Sequence, residues 1–597
     1  MYCLKGGEYM NRTKQKLSTR IGALTLALSL ALSLLAGCGQ TGKSSAGGSS
    51  SAGSASSSST VTEISSVGGV ASSTKYSTEI GLDILEAGGN AIDAAVATAF
   101  AIGVAEPEMS GVGGCGIMTI YLKDSNEYTV LEFMETVPKN TVPGVFDPKN
   151  RDQADSGMGA AVPGQVHGLL TALEKYGTME RKDVMAPAIK LASEGYELDA
   201  SLEDYIGMSY DRIIKNEELT SIYTDEGIPK NKGDLIQNPN LANTLQAISD
   251  GGIEEFYTGE LAEKIVKGLQ EDGNPITMED MAAYQTVERE PLITNYYGYD
   301  FIAPPPPASG GMWLLECMNI LEEMDIKQYE PNSKEYIHLV TEATRIALID
   351  SANYIGDPAF YSLPDEILVS KDFAKERAQL IQEDKAIPEV IPAELPVEKL
   401  GTTAEEGKHT SHIAVMDSYG NIVSLTTTLG NLFGCATAID GLGFAFNSHM
   451  SNMEHDPAKS DSPDYVMPGK RVRTTISPTI IVKDGEPIMA IGSPGSLAIP
   501  PAITLVANNA LLYGMEIQDA INLPRATATD YGNAVIYIEE GAADEETQQA
   551  LIDMGYELRP AEDMITSGCI AAVEINNENG NITAGADMRR GYVAGTR

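Results

Sequence analysis

The chain has 597 residues, 43% hydrophobic and 21% charged, which is ample for a large buried core and unlike the composition of a disordered chain. Its formal net charge of −43 excludes a nucleic-acid partner, since phosphate binding needs a basic surface with counterions to release.

The first segment is the basic exception. Arg12, Lys14, Lys16 and Arg20 precede an uncharged apolar run from Ile21 to Ala36, shorter than the roughly 20 residues of a membrane-spanning helix, so it reads as an export signal. The run ends in Leu35-Ala36-Gly37-Cys38, which resembles the lipobox of bacterial lipoproteins, where the chain is cut before the cysteine and the thiol is lipidated. Residues 1–38 are thus expected to be a lipoprotein signal with Cys38 as the lipidated residue. Residues 39–66, with Ser, Gly and Ala from Ser44 to Thr60, are expected to be a flexible tether. The expected location is extracytoplasmic, at the bacterial cell surface, with membrane contact by the lipid anchor alone.

Two helices are predicted next, Ser77 to Glu86 and Ala91 to Val104, the second of small apolar residues and so buried on most sides. A glycine-rich turn at Gly111 to Gly116 leads to strands at Ile117 to Leu122 and near Tyr128 to Phe133. This order is wrong for a dinucleotide-binding fingerprint, which follows a strand and opens a helix. Amphipathic helices dominate from Gly164 to Gly268, then Gly310 to Glu323 and Ser333 to Ile355. Residues 384–408 read as an exposed loop, and mostly strand is expected beyond it.

Residues 410–428, TSHIAVMDSYGNIVSLTTT, read as a hairpin about Tyr419. That register places Thr410 opposite Thr428, with Ile413, Val415, Val423 and Leu425 on one face and Thr410, His412, Thr426 and Thr428 on the other. If the chain were cut between His409 and Thr410, the new α-amine, with an ordinary pKa near ~7.7 to 8, would serve as general base for the hydroxyl beside it. The alternative is an ordinary β-branched strand residue. Gly492 to Ser496, after a strand at Pro487 to Ile491, is a loop suited to aim backbone N–H groups at an oxyanion.

Taken together, GLDILEAGGNAIDAAVATA, EPEMSGVGGCG, VPGQVHGL, APPPPASGG, YIGDPAFY, TSHIAVMDSYGN, SPTIIVKDG, GSPGS and ADMRRG resemble the gamma-glutamyltransferase (gamma-glutamyltranspeptidase) family of N-terminal-nucleophile hydrolases, from about Val67 to Arg597. The resemblance implies an α+β fold, a four-layer αββα sandwich, made by a precursor that cuts itself into a large subunit (67–409 of the folded body) and a small one (410–597). It implies Thr410 as nucleophile, Thr428 as the assisting threonine, Gly495 and Ser496 as oxyanion donors, and Thr474 and Thr475 at the substrate carboxylate. No cofactor is implied, and the expected substrate is a small γ-glutamyl or other acyl-amide compound.

The departures fall on substrate anchors. Met134 stands where the family has the arginine that holds the α-carboxylate, Gly430 where asparagine is usual, His449 where glutamine is, and Asn452 where an aspartate binds the α-ammonium. Each lost charge-assisted contact is worth about 1.5 to 3 kcal/mol, and Asn431, His449 and Arg473 are candidates to compensate. Two alternatives stay open: an acylase of the same fold with another acyl group, and an unprocessed surface binding lipoprotein. No metal is expected, because His167, His338, His409, His412, His449 and His455 form no HExxH pattern and the cysteines no close pair. Cys115, Cys317, Cys435 and Cys569 are expected to be buried thiols. Residues 453–468 read as loop, by default a solvent-exposed linker, with closure over the pocket as a lid left open.

Overall fold

In the computed structural model the described residues are 67–400, 409–530, 533–561, 564–576 and 580–597. Cys38 and the tether lie outside them.

The opening strand β1 (Gly68–Ser72) leads into α1 (Lys75–Glu86) and α2 (Ala91–Ala105). Both helices start at a capping box, Thr74 with Ser77 and Asn90 with Asp93, which satisfies backbone donors that the first turn leaves over. As its composition predicts, α2 is buried at nearly every position. The glycine-rich turn delivers β2 (Cys115–Leu122), which pairs antiparallel with β3 (Glu127–Glu132). A run of helices beginning with α3 (Gln165–Tyr176) follows. The chain then forms β4 (Val287–Arg289), β5 (Leu292–Tyr296), β6 (Tyr299–Ala303), α4 (Ser309–Glu323) and α5 (Lys334–Tyr354).

The second half supplies β7 (His409–Asp417), β8 (Ile422–Gly430), β9 (Thr479–Lys483), β10 (Glu486–Gly492), α6 (Ile499–Leu511), β11 (Ala571–Asn576), β12 (Asn581–Ala586) and β13 (Val593–Thr596). The first sheet has the order β13-β1-β7-β8-β2-β3-β4, and the second β12-β11-β10-β9-β6-β5. Both halves of the chain therefore contribute strands to both sheets.

Alternation along β7 and β8 decides the layering. Ile413, Val415, Val423 and Leu425 point into a core shared with α1, α2 and α3. On the opposite face Ala414, Met416 and Ile422 meet Ile480, Val482, Ala490 and Val573 of the second sheet. The far side of that sheet, Ile481, Met489 and Ile491, packs with Trp313, Leu314 and Ile503 from α4 and α6. The result is helix, sheet, sheet, helix: the α+β, four-layer αββα sandwich.

The hairpin register is the predicted one, Thr410↔Thr428, His412↔Thr426, Ile413↔Leu425 and Val415↔Val423. Its turn is fixed by Asp417, whose Oδ1 accepts from Tyr419 and Asn421 N–H at 2.9 Å and whose Oδ2 accepts from Ala91 N–H at 2.8 Å, tying the hairpin to the start of α2. The expectation of mostly strand beyond 408 is corrected. Between β8 and β9 the chain runs through turns and short 3₁₀ segments at His449–Asn452 and Pro457–Lys459, and α6 follows. That stretch lacks the period-two alternation that a strand needs.

Candidate active site

Thr410 lies at the start of β7, buried on the face that looks toward the second sheet. Its Oγ1 donates to Thr428 Oγ1 at 3.4 Å. Thr428 Oγ1 in turn donates to the carbonyl oxygen of His409 at 2.6 Å and accepts from Gly430 N–H at 2.9 Å. The ladder shifts register between His409 and Thr410, so the peptide bond joining them sits at an irregularity in the strand. Both threonines line a small, narrow cavity, together with His449, Asn452, Arg473, Thr474 and Thr475.

The two paired threonines are placed by the proline-rich segment ahead of α4. Ser309 N–H donates to Thr474 O at 2.8 Å, and Ser309 Oγ donates to the same oxygen at 3.1 Å. A Cβ on Gly310 would lie 1.9 Å from Thr475 O, so only glycine lets α4 approach this closely. Thr475 Oγ1 donates to Ser496 O at 3.2 Å, which links the cavity to the turn after β10. In that turn Gly495 and Ser496 have φ of +121° and +53°. Neither is among the residues that line the cavity.

The positions that depart from the family pattern are packed as a group. Met134 is fully buried, with Sδ 3.6 Å from Cys115 Sγ, and is not part of the cavity wall. Gly430 has φ of +89°, and a Cβ there would lie 2.7 Å from Ser448 Oγ, 3.3 Å from His449 Nε2 and 3.4 Å from Asn452 Oδ1. The absent side chain leaves the space that His449 and Asn452 occupy. His449 Nδ1 is 3.0 Å from Glu135 Oε1. Arg473, one of the candidate compensating groups, lines the cavity as a buried pair with Asp464, Nε to Oδ1 at 3.0 Å and Nη2 to Oδ2 at 3.3 Å. Asn431, another, donates its backbone N–H to Ser448 Oγ at 2.9 Å and is not in the cavity wall.

Several contributors were hidden in the sequence. Arg590 Nη1 donates to Thr410 O at 2.9 Å while Nη2 pairs with Glu106, whose other oxygen takes the Ser411 hydroxyl. ADMRRG signalled the family but gave no role for its second arginine. The 453–468 stretch is a solvent-exposed linker only in its middle, residues 456–461: at its ends Met453 and Asp464 wall the cavity, Met453 and Val466 are buried, and Lys470 ties it down through Tyr465 O at 2.9 Å and Tyr361 Oη at 3.0 Å. Burial pulls the Lys470 ammonium down to about 8.

The four described cysteines are buried free thiols, as expected. Burial pushes Cys435 up to about 11, which makes it a poor nucleophile, and it is not in the cavity wall. His412, with Nδ1 2.8 Å from Thr426 Oγ1, is held neutral by burial, its pKa lowered from 6.5 to about 3. Between those values the unfolded chain binds a proton that the native ring does not, so stability falls as pH falls, by about 1.4 kcal/mol per pH unit, and is fully present above 6.5. Denaturant midpoints of the native protein and of His412→Gln, compared between pH 7 and 4, are expected to show a shallower acid slope in the variant. Equal slopes would contradict a neutral native His412.

Comparison with known proteins agrees with this geometry. The family model described as gamma-glutamyltranspeptidase matches residues 77–596. A glutathione hydrolase proenzyme of Escherichia coli (strain K12) is 36% identical over 473 residues, 77% of this chain and 80% of the relative. The acylase ACY 1 proenzyme of Pseudomonas sp. (strain SE83) is 33% identical over 504 residues, 83% of this chain and 87% of the relative. Among solved structures, a cephalosporin acylase from Bacillus halodurans superposes with a TM-score of 0.80 at 26% identity, covering 92% of this chain and 98% of that one. With its αββα sandwich, its threonine pair at the cavity and a family match across nearly all of the folded body, the chain belongs to the gamma-glutamyltranspeptidase family of N-terminal-nucleophile hydrolases and is an enzyme of that class.

Proposed function

We propose that the chain is a precursor that cuts itself before Thr410, and that the freed N-terminal threonine then cleaves or transfers γ-glutamyl amide bonds. The observation that carries the reading is the hydrogen-bond chain through Thr428. That hydroxyl donates to the His409 carbonyl at 2.6 Å, polarising the carbon to be attacked, and accepts from the Thr410 hydroxyl at 3.4 Å. In the self-processing step Thr410 Oγ1 bonds to the His409 carbonyl carbon, the peptide C–N bond breaks, and the nitrogen keeps the hydroxyl proton as an amine. Water hydrolyses the resulting ester, leaving a carboxylate on His409 and a free amine and hydroxyl on Thr410.

The same residue then acts on substrate. Its amine takes the proton from Oγ1 as the oxygen attacks an amide carbonyl, the proton passes to the leaving amine, and water or an acceptor amine resolves the ester. In this scheme Gly495 and Ser496 supply N–H donors to the oxyanion, and Thr474, Thr475, Asn452 and His449 hold the acyl group. Residues up to 409 and from 410 onward become large and small subunits that share both sheets.

The acyl group has a second reading. Met134 is not part of the cavity wall, and an acylase relative covers 83% of the chain against 77% for the Escherichia coli glutathione hydrolase, which supports an acylase with a different side-chain preference as the second reading. Turnover of a γ-glutamyl anilide and of the matching glutaryl amide separates the two. The first reading expects the γ-glutamyl compound to be the better substrate, and turnover of the glutaryl compound alone would overturn it. An intact chain with no turnover of either would favour a binding lipoprotein.

Cys38 is proposed as the membrane anchor. Cys38→Ala is expected to lose metabolic fatty-acid label and to leave the detergent phase for the aqueous one, and labelling that persists in the variant would contradict the anchor.

A further inference from the structure

Cys115, Glu135 and His449 are far apart in sequence, and the fold brings them together behind the wall of the Thr410 cavity. One donor from each, a thiol sulfur, a carboxylate oxygen and an imidazole nitrogen, lies within 4.8 Å of the other two. The placement follows from the sheet. Thr410 pairs with Thr428, and Thr428 pairs with Cys115, so nucleophile and thiol lie in one cross-strand row over β7, β8 and β2. Glu135 follows β3, and His449 opens the 3₁₀ turn that also carries Asn452.

We propose that these three side chains form a binding site for a soft divalent cation of the Zn²⁺ type, with its fourth coordination position toward the cavity that holds Thr410. Four observations carry this. The donor set of one sulfur, one nitrogen and one carboxylate oxygen is that of Zn²⁺ and its neighbours rather than of Mg²⁺ or Ca²⁺. Glu135 is fully buried, its Oε2 takes no N–H or O–H donor among the described residues, and the carboxylate faces the Cys115 thiol, the donor it would share an ion with. Tetrahedral zinc holds sulfur and nitrogen donors about 3.5 Å apart, so the cluster closes onto an ion with side-chain shifts of roughly 1 Å. His449 lines the cavity, so an incoming ion has a route to ligands otherwise sealed from water.

Charge and protons balance. Binding releases the Cys115 thiol proton. The ion replaces the His449–Glu135 hydrogen bond, with the imidazole proton on Nε2 when Nδ1 is the ligand. Thiolate, carboxylate and neutral imidazole around a divalent ion give a neutral site, which suits its burial.

The test reads binding, not turnover, so its outcome is independent of the acyl-transfer reading. The purified chain is stripped with a chelator, dialysed and titrated with Co²⁺ alone, then with Zn²⁺ alone. One equivalent of Co²⁺ is expected to bind with a near-ultraviolet thiolate-to-cobalt absorption that Zn²⁺ bleaches. Cys115→Ser is expected to lose that band, and His449→Ala to weaken binding by at least about tenfold. Should either variant fail to fold, anomalous scattering from zinc-soaked crystals of the unaltered chain is expected to place one ion between the three side chains. No stoichiometric uptake, uptake without the thiolate band, a band that survives Cys115→Ser, or zinc located elsewhere would each overturn the proposal.

Discussion

Thr410→Ala is expected to leave a single uncut chain and to lower amide turnover by at least about 10⁴-fold, because in the proposed mechanism one side chain is the nucleophile both for self-cleavage and for the substrate. The substitution removes one hydroxyl and one methyl from a strand whose pairing with β8 and β1 is otherwise untouched, so the fold should persist. Thr410→Ser keeps the hydroxyl and is expected to process, more slowly, and to recover part of the activity. Gel analysis of each purified chain and turnover of a chromogenic amide check both. An alanine variant that still splits between 409 and 410 would show that the Thr410 hydroxyl is not the attacking group.

Arg590→Met is expected to cost about 3 to 5 kcal/mol of stability, the loss typical of breaking a buried ion pair by removing one partner. The guanidinium holds Thr410 O at 2.9 Å and pairs with the buried Glu106. Methionine fills much of the volume but leaves that carboxylate without its cation, beside the equally buried Glu108. Measuring the denaturant midpoint in a Thr410→Ala background separates folding from processing. In the processing-competent chain the same change is expected to slow self-cleavage, since Thr410 loses a partner that fixes its backbone. Arg590→Lys keeps the charge but not the two-armed geometry, and should fall between. An unchanged midpoint in Arg590→Met would mean that the pair is not needed to hold this corner.

The parts of this site that were legible in the sequence are those written in local pattern. Alternation along 410–428 fixed both the register and the face on which Thr410 and Thr428 meet, because a one-residue slip would have turned Ile413 and Val415 out of the core. The two helices after β1 were readable for the same reason.

What was not legible depends on long-range placement. Arg590 reaches Thr410 from β13's end of the first sheet, across a separation that no spacing rule spans. Cys115, Glu135 and His449 read separately as a thiol, a carboxylate and a histidine, and only the fold, bringing β2, the end of β3 and the 3₁₀ turn at His449 together, makes them neighbours. The 453–468 stretch looked like linker because its composition is polar and rich in turn residues. Met453 and Val466 pin it to a small core with Phe146 and Val472, and Lys470 satisfies its carbonyls, so irregular backbone is held against the cavity without a strand or a long helix. The substituted anchors illustrate the same point. Gly430 alone suggests a lost contact, whereas in the fold it is the space into which His449 and Asn452 close.

The central claim is that a new amine is released beside the Thr410 hydroxyl, and the most direct measurement is the N-terminal sequence and intact mass of the smaller fragment in the purified protein. The account expects a fragment that begins Thr-Ser-His-Ile and runs to Arg597, 188 residues long. A fragment that begins at any other residue, or a fully active protein that remains one uncut chain, would contradict it.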